Sequence, residues 1–138
     1  MTAGVNHITF GVSDLARAVR FYVEVLGCAK VATWTRGAYL RAGEMWVCLS
    51  VDPAASVDAA RDYTHIAFTF DAKGLAEFRA RLSAFGGVEW KVSSSEGDSV
   101  YFLDPDGHRL EAHVGSLESR LASLQDSTHE GLELHAGC

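Results

Sequence analysis

His7-Ile8-Thr9-Phe10 and His65-Ile66-Ala67-Phe68 are two copies of one strand pattern. Each copy is followed by a helical pattern and then by short strand-like runs. After the first copy, Leu15, Val19, Tyr22, Val23 and Leu26 fall on one helical face. After the second, Leu75, Phe78, Leu82 and Phe85 do the same. Apolar residues at this spacing make a one-sided helix. Ser13 or Asp14 can cap the first helix, and Asp71 lies near the start of the second. Gly27 and Gly86-Gly87 stop them. Strand-like runs follow at 29–34, 38–42 and 45–51, with Gly37 and Gly43-Glu44 as turns. They recur at 88–92, 99–104 and 108–114, with Asp104-Pro105-Asp106-Gly107 turning between the last two.

Each half therefore reads strand–helix–strand–strand–strand. The expectation is an α+β fold of two paired βαβββ modules, whose curved mixed sheets form a cleft. Module 1 covers about 4–51, a polar and alanine-rich linker 52–62, and module 2 about 63–115. A short C-terminal helix follows at 116–124, with Leu117, Leu121 and Leu124 on one face. Residues 1–124 make one domain, and 125–138 form a polar tail.

Composition narrows the function. The chain has 138 residues, of which 48% are apolar, enough for a core. Its formal charge of −6, without a basic run, argues against nucleic acid as a partner. No apolar run reaches the ~18 residues of a membrane helix. The N-terminus Met1-Thr2-Ala3-Gly4 has no secretory pattern. Cys28, Cys48 and Cys138 are an odd, widely spaced set that suits reduced thiols. These features lead us to expect a cytoplasmic protein.

Strand alternation selects the residues that face the cleft. His7 shares a face with Thr9, and His65 shares one with Tyr63 and Ala67. Trp46, Cys48 and Ser50 share a face, as do Arg109, Glu111 and His113. A lone strand histidine is usually a satisfied core residue. Two at repeat-equivalent positions are harder to dismiss, and a ligand reading stands beside the core one. Glu111 completes a two-histidine, one-carboxylate set that leaves positions open for water or substrate. That set suits Zn, Mn, Fe, Co or Ni and does not choose among them. His108, His113, His129 and His135 read as solvated or locally bonded.

A second cluster runs from Lys91 through Ser93-Ser94-Ser95-Glu96-Gly97-Asp98-Ser99 to Tyr101. Its ordinary reading is a polar surface loop. Its functional reading makes Lys91 the cation for an anionic substrate, with hydroxyls and carbonyls as neutral contacts. Oxygens in a tight, Gly-containing loop also suit a monovalent cation. Arg120 is ordinarily a helix-surface residue; a guanidinium there can instead clamp a phosphoryl-type anion.

These residues are familiar together. Asn6-His7-Ile8-Thr9, Gly37-Ala38-Tyr39-Leu40, Trp46-Val47-Cys48-Leu49-Ser50, Asp62-Tyr63-Thr64-His65, Ser95-Glu96-Gly97-Asp98-Ser99 and the unbroken block Tyr101–Gly115 carry a resemblance. The chain resembles the vicinal oxygen chelate superfamily, and within it the manganese-dependent fosfomycin-resistance glutathione transferases of the FosA type. The resemblance covers about residues 4–124. It implies that His7, His65 and Glu111 bind one divalent metal, preferably Mn²⁺. Fosfomycin, a small epoxide phosphonate, would ligate that metal, with Thr9 beside the epoxide. Lys91, Ser95, Ser99, Tyr101 and Arg120 would hold the phosphonate side, and Trp46 and Tyr63 would wall the pocket. Ser93, Ser95, Gly97 and Ser99 match a loop that binds activating K⁺. Tyr39 matches a tyrosine that assists the thiol of glutathione, and Trp34, Cys48 and Ser50 lie where that thiol approaches. Thr9, Tyr39, Lys91 and Arg120 are thus the implied catalytic set. The resemblance further implies a homodimer, with His7 from one protomer and His65 and Glu111 from the other.

Sister activities leave their own marks. A hydrolytic branch uses a glutamate that aligns near Gly37, which has no side chain. A branch using bacillithiol or cysteine commonly has cysteine where Thr9 stands. Both positions favour glutathione. Antibiotic-sequestering relatives usually lack the metal triad. Departures from the family are Ser93 for asparagine, Ser94 for arginine and Arg36 for a neutral polar residue. Ser94 removes a cationic contact, which bears on efficiency more than on reaction class.

Overall fold

The computed structural model describes residues 1–55, 62–93, 98–125 and 129–135. The linker and the tail expected from the sequence therefore fall partly outside the described residues. The first half contains β1 (His7–Val12), α1 (Leu15–Arg20), β2 (Ala29–Trp34), β3 (Gly37–Ala42) and β4 (Met45–Val51). The second contains β5 (Ile66–Thr69), α2 (Ala72–Phe85), β6 (Glu89–Lys91), β7 (Ser99–Leu103) and β8 (Arg109–His113). A last helix, α3, spans Leu117–Gln125. The sheets have the same order, β1-β4-β3-β2 and β5-β8-β7-β6. In each, the first strand pairs parallel with the last and the other pairings are antiparallel. The repeat read from the two histidine strands is thus a repeat of topology.

The helix starts follow from their caps. The Asp14 side chain accepts from the Arg17 amide, and that of Asp71 from the Gly74 amide. Gly86, at φ 82°, closes α2 in the left-handed region that glycine enters without strain. The first helix departs from expectation. Its α-helical part stops at Arg20, and Phe21–Val25 continue as a wider π-helical turn. Phe21 and Tyr22, neighbours on that turn, are both buried, at 1% and 0% exposure.

Each sheet buries one face against the helices. Phe10, Val12, Leu40, Val47 and Leu49 serve the first sheet, and Val100, Phe102, Leu110 and Ala112 the second. All belong to one apolar cluster, because Phe21 bridges the halves. Its ring centroid lies 5.3 Å from Phe85 and 6.0 Å from Phe102. The opposite faces carry the histidines. None of the residues of α3 is buried, and Leu117 and Leu121 are exposed. Among the described residues no helix is long and apolar enough to cross a membrane.

A polar joint completes the union of the halves. The Tyr22 hydroxyl donates to Asp104 Oδ2 at 2.7 Å, and the amides of Asp106 and His108 donate to Asp104 Oδ1, each at 2.9 Å. Ser13 donates to Asp106 through its amide and its hydroxyl. His108 Nε2 donates to the Gly11 carbonyl at 2.8 Å. Burial first, then the neighbouring Asp104 carboxylate, raise the Tyr22 pKa well above its ordinary value of 10.0. The folded chain therefore keeps a phenol proton that the unfolded chain loses above pH 10.0, so stability falls as pH rises through that range. Tyr22→Phe should cost about 1–3 kcal/mol at neutral pH, because Asp104 loses a donor. It should also make the alkaline loss of stability shallower. Urea unfolding across pH measures both effects.

Candidate metal centre and anion pocket

The second sheet assembles most of the site. Alternation on β8 turns Leu110 and Ala112 into the core and leaves Glu111 on the other face, between Ala67 of β5 and Tyr101 of β7. His65 immediately precedes β5, and its Nε2 lies 3.0 Å from Glu111 Oε2. Its Nδ1 lies 2.8 Å from the Tyr63 carbonyl. A carbonyl can only accept, so Nδ1 carries the proton. With Nε2 unprotonated, the ring aims that lone pair at a carboxylate oxygen. Two acceptors at that distance call for a shared proton or metal cation, and this donor set fits a divalent metal.

The far carboxylate oxygen is also tied down. Ser99 Oγ donates to Glu111 Oε1 at 2.7 Å, and His113 Nδ1 lies 2.7 Å from the same hydroxyl. Since Ser99 gives its proton to Glu111, His113 donates to Ser99. Glu111 is 6% exposed and Ser99 3%. A buried carboxylate held in this way presents its other oxygen in one orientation.

Lys91 supplies the fixed cation. Its ammonium donates to the Tyr63 hydroxyl. It stands 4.5 Å from the Tyr63 ring centroid and 4.7 Å from that of Tyr101. The hydrogen bond to Tyr63 raises its pKa, so it remains charged at neutral pH. Tyr101 is buried and Tyr63 exposed. Arg120 is half-buried on α3. Ser93 is exposed. Ser94, Ser95 and Gly97 lie outside the described residues, so the loop expected to bind K⁺ is described only at Ser93 and Ser99, and the expected phosphonate contact of Ser95 lies outside them.

His7 stands on the first sheet. Its Nδ1 lies 2.7 Å from Asn6 Oδ1, which accepts and leaves Nε2 as the lone-pair nitrogen. Its ring packs on Trp46 at 4.4 Å. The contacts continue from Trp46 to Tyr39 at 5.1 Å and from Tyr39 to Trp34 at 4.7 Å. This aromatic row crosses the sheet on the face that holds Thr9, Cys48 and Ser50. Trp34, Tyr39 and Trp46 are all exposed. Among the described residues of one chain, no three or more His, Cys, Asp or Glu side chains converge as a metal site. His65 and Glu111 meet; His7 does not join them.

Two details bear on the chemistry. A Cβ on Gly37 would lie 2.5 Å from the Trp34 ring and 2.8 Å from the Leu49 carbonyl. Position 37 has no room for a side chain unless the strand shifts. Burial pushes the Cys28 thiol up to about 11, so it is no nucleophile at neutral pH. One member of the cluster escaped sequence reasoning. Trp90 touches His65 and Tyr101, although alternation along 88–92 turns it away from Lys91.

The family model described as Glyoxalase/Bleomycin resistance protein/Dioxygenase superfamily matches residues 4–112. The chain belongs to that superfamily. Within the superfamily it is 46% identical over 134 residues to a glutathione transferase FosA from Serratia marcescens, covering 96% of this chain and 95% of the relative. A metallothiol transferase FosB from Shouchella clausii is 38% identical over 138 residues, covering 96% and 94%. The crystal structure of a fosfomycin resistance protein FosX from Listeria monocytogenes, complexed with Mn(II) and sulfate, superposes with a TM-score of 0.75. That pair is 29% identical, with 89% of this chain and 98% of the other covered. The superfamily fold expected from the repeat, two βαβββ units, is the one observed.

If Glu111 is a ligand, its removal acts on binding before turnover. Outer-shell changes at metal sites cost about 10–100-fold in affinity, so Glu111→Ala should weaken Mn²⁺ binding by more than ~100-fold. Titration followed by the electron paramagnetic resonance of free Mn²⁺ measures this, and unchanged affinity removes Glu111 from the ligand set.

Proposed function

We propose that this protein inactivates fosfomycin by transferring glutathione to its epoxide. One observation carries the reading. A histidine and a carboxylate poised to share a cation stand on the same sheet face as a lysine ammonium held by two tyrosines. An epoxide phosphonate needs both kinds of positive charge, one at the oxygens beside the ring and one at the phosphonate. The 46% identity to a glutathione transferase FosA supports the choice of nucleophile.

His65, Glu111 and His7 are the residues that would hold the divalent metal, and Mn²⁺ is our assignment. When bound, such a metal acts as a Lewis acid toward the epoxide oxygen. Lys91, with Tyr101, Ser95 and Arg120, fixes the phosphonate and so sets the carbon for in-line attack. Thr9 lies beside the epoxide. Tyr39 orients the thiol, with Trp34, Cys48 and Ser50 along its approach. The glutathione sulfur, as thiolate, forms the bond to C1. The C1–O bond breaks, its electron pair goes to oxygen, and that oxygen takes up a proton. No protein nucleophile takes part. We further propose that K⁺ binds the 93–99 loop and activates the enzyme.

The separation of His7 from His65 and Glu111 supports a homodimer in which His7 of one chain completes the partner's site. The polar face of the first sheet in one copy would then meet that of the second sheet in the other. The exposed row of His7, Trp46, Tyr39 and Trp34 suits that role.

Hydrolysis by water is the competing reaction. It needs a general base near the attacked carbon, and Gly37 offers none, with Trp34 filling the space beside it. Incubating the Mn²⁺- and K⁺-loaded protein with fosfomycin and glutathione, cysteine, bacillithiol or water alone decides the matter. Mass spectrometry should show a glutathione adduct that disappears on chelation. A diol would place the protein with the hydrolases, and no product with any nucleophile would leave binding without catalysis.

A further inference from the structure

A break in strand pairing gives the site a residue that the repeat does not announce. Along β6 and β7 the register runs Glu89↔Phe102 and then Lys91↔Tyr101. Two residues of β6 are advanced for one of β7, so β6 contains a bulge. A bulge leaves one extra residue and re-aims its side chain. Trp90 is that residue. Its indole lies on the same side as the Lys91 ammonium, not across the sheet from it.

The contacts of Trp90 are specific. Its ring centroid is 5.6 Å from His65, 5.2 Å from Tyr101 and 5.9 Å from Tyr63, each nearly edge to face. Its Nε1 crosses β7 and donates to the Leu110 carbonyl at 3.1 Å. Leu110 immediately precedes Glu111. The guanidinium of Arg109 stacks on the indole at 4.9 Å and donates to the Asp62 carbonyl, next to Tyr63. One side chain thus touches the candidate ligand His65, the strand that carries Glu111 and both tyrosines around Lys91.

We propose that Trp90 is a positioning residue for the metal and anion sites together. The hydrogen bond from His65 Nδ1 to the Tyr63 carbonyl restrains the imidazole at one atom. A ring so held can still tilt. The Trp90 and Tyr101 edges, at 62° and 69° to the imidazole, restrain that tilt and so the direction of the Nε2 lone pair. The same indole backs Tyr63 and Tyr101, which hold the Lys91 ammonium. Arg109 clamps the indole from outside as a cation on its face. The inference rests on the proposed function for the identity of metal and substrate.

Mn²⁺ affinity of Trp90→Ala, Trp90→Leu and Trp90→Phe tests it, read from the resonance of free Mn²⁺ in the full-length protein. The Ala and Leu variants should bind about 10-fold more weakly, the size of other outer-shell effects. Phe keeps the ring edges and should recover part of the loss. The KM for fosfomycin should rise in the same order, since Lys91 loses its backing. If either Ala or Leu folds, lowers only the melting temperature and binds Mn²⁺ as the unaltered protein does, the role is structural and the proposal is wrong. If the unaltered protein takes up no Mn²⁺, the metal reading itself falls and this inference falls with it.

Discussion

A carboxylate is costly to bury unless its oxygens are bonded, and Asp104 meets that demand with donors from both halves of the chain. Tyr22 comes from the π-helical turn after α1, and the two amides come from the turn that Asp104 itself begins. Burial still raises the Asp104 pKa above the ordinary carboxylate value, against the pull of its donors. Asp106 and His108 extend the joint to Ser13 and Gly11. The turn between β7 and β8 is therefore fastened to the end of β1. Together with the Phe21, Phe85 and Phe102 contacts, it fixes which sides of the sheets are buried and which stay open.

The chemistry follows from that division. Strand alternation sends Leu110 and Ala112 inward and Glu111 to the open face. On the first sheet it sends Phe10 inward and His7 with Thr9 outward. One chain thus builds two partial sites, one with a carboxylate, a histidine and a lysine, the other with a histidine and a row of aromatic rings. On the proposed reading a divalent cation takes ligands from both. Joined by the back of the sheets, the halves do not bring His7 to His65, and in the proposed homodimer a second copy of the chain supplies that histidine.

Much of this was legible in the residues. The repeated His-Ile-x-Phe strand fixed the topology because a strand buries alternate residues and the polar ones stand out. Asp14, Asp71 and Gly86 marked helix ends through their own side-chain or backbone chemistry. The Asp104–Gly107 turn was visible as a turn, but its grip on Ser13 and Gly11 was not, since nothing local reveals a contact across such a chain distance. His108 and His113 read as solvated or locally bonded, but the His108 ring bonds across the chain to Gly11, and that His113 acts on Glu111 through Ser99 needed the register of β7 against β8. The π-helical turn and the β6 bulge were hidden because both break the periods on which sequence reading depends. Trp90 was lost with the bulge.

In the proposed dimer the metal centre is completed between two chains. Mixing His7→Ala with Glu111→Ala protein, after partial unfolding and joint refolding, tests it directly. Each variant alone should be inactive. Random pairing makes half the dimers hybrid, and each hybrid holds one site with all three ligands, so activity should return to about a quarter of the unaltered level. A mixture that stays as inactive as its components, although hybrid dimers form, would mean that His7 and Glu111 serve one site in one chain and would contradict the account.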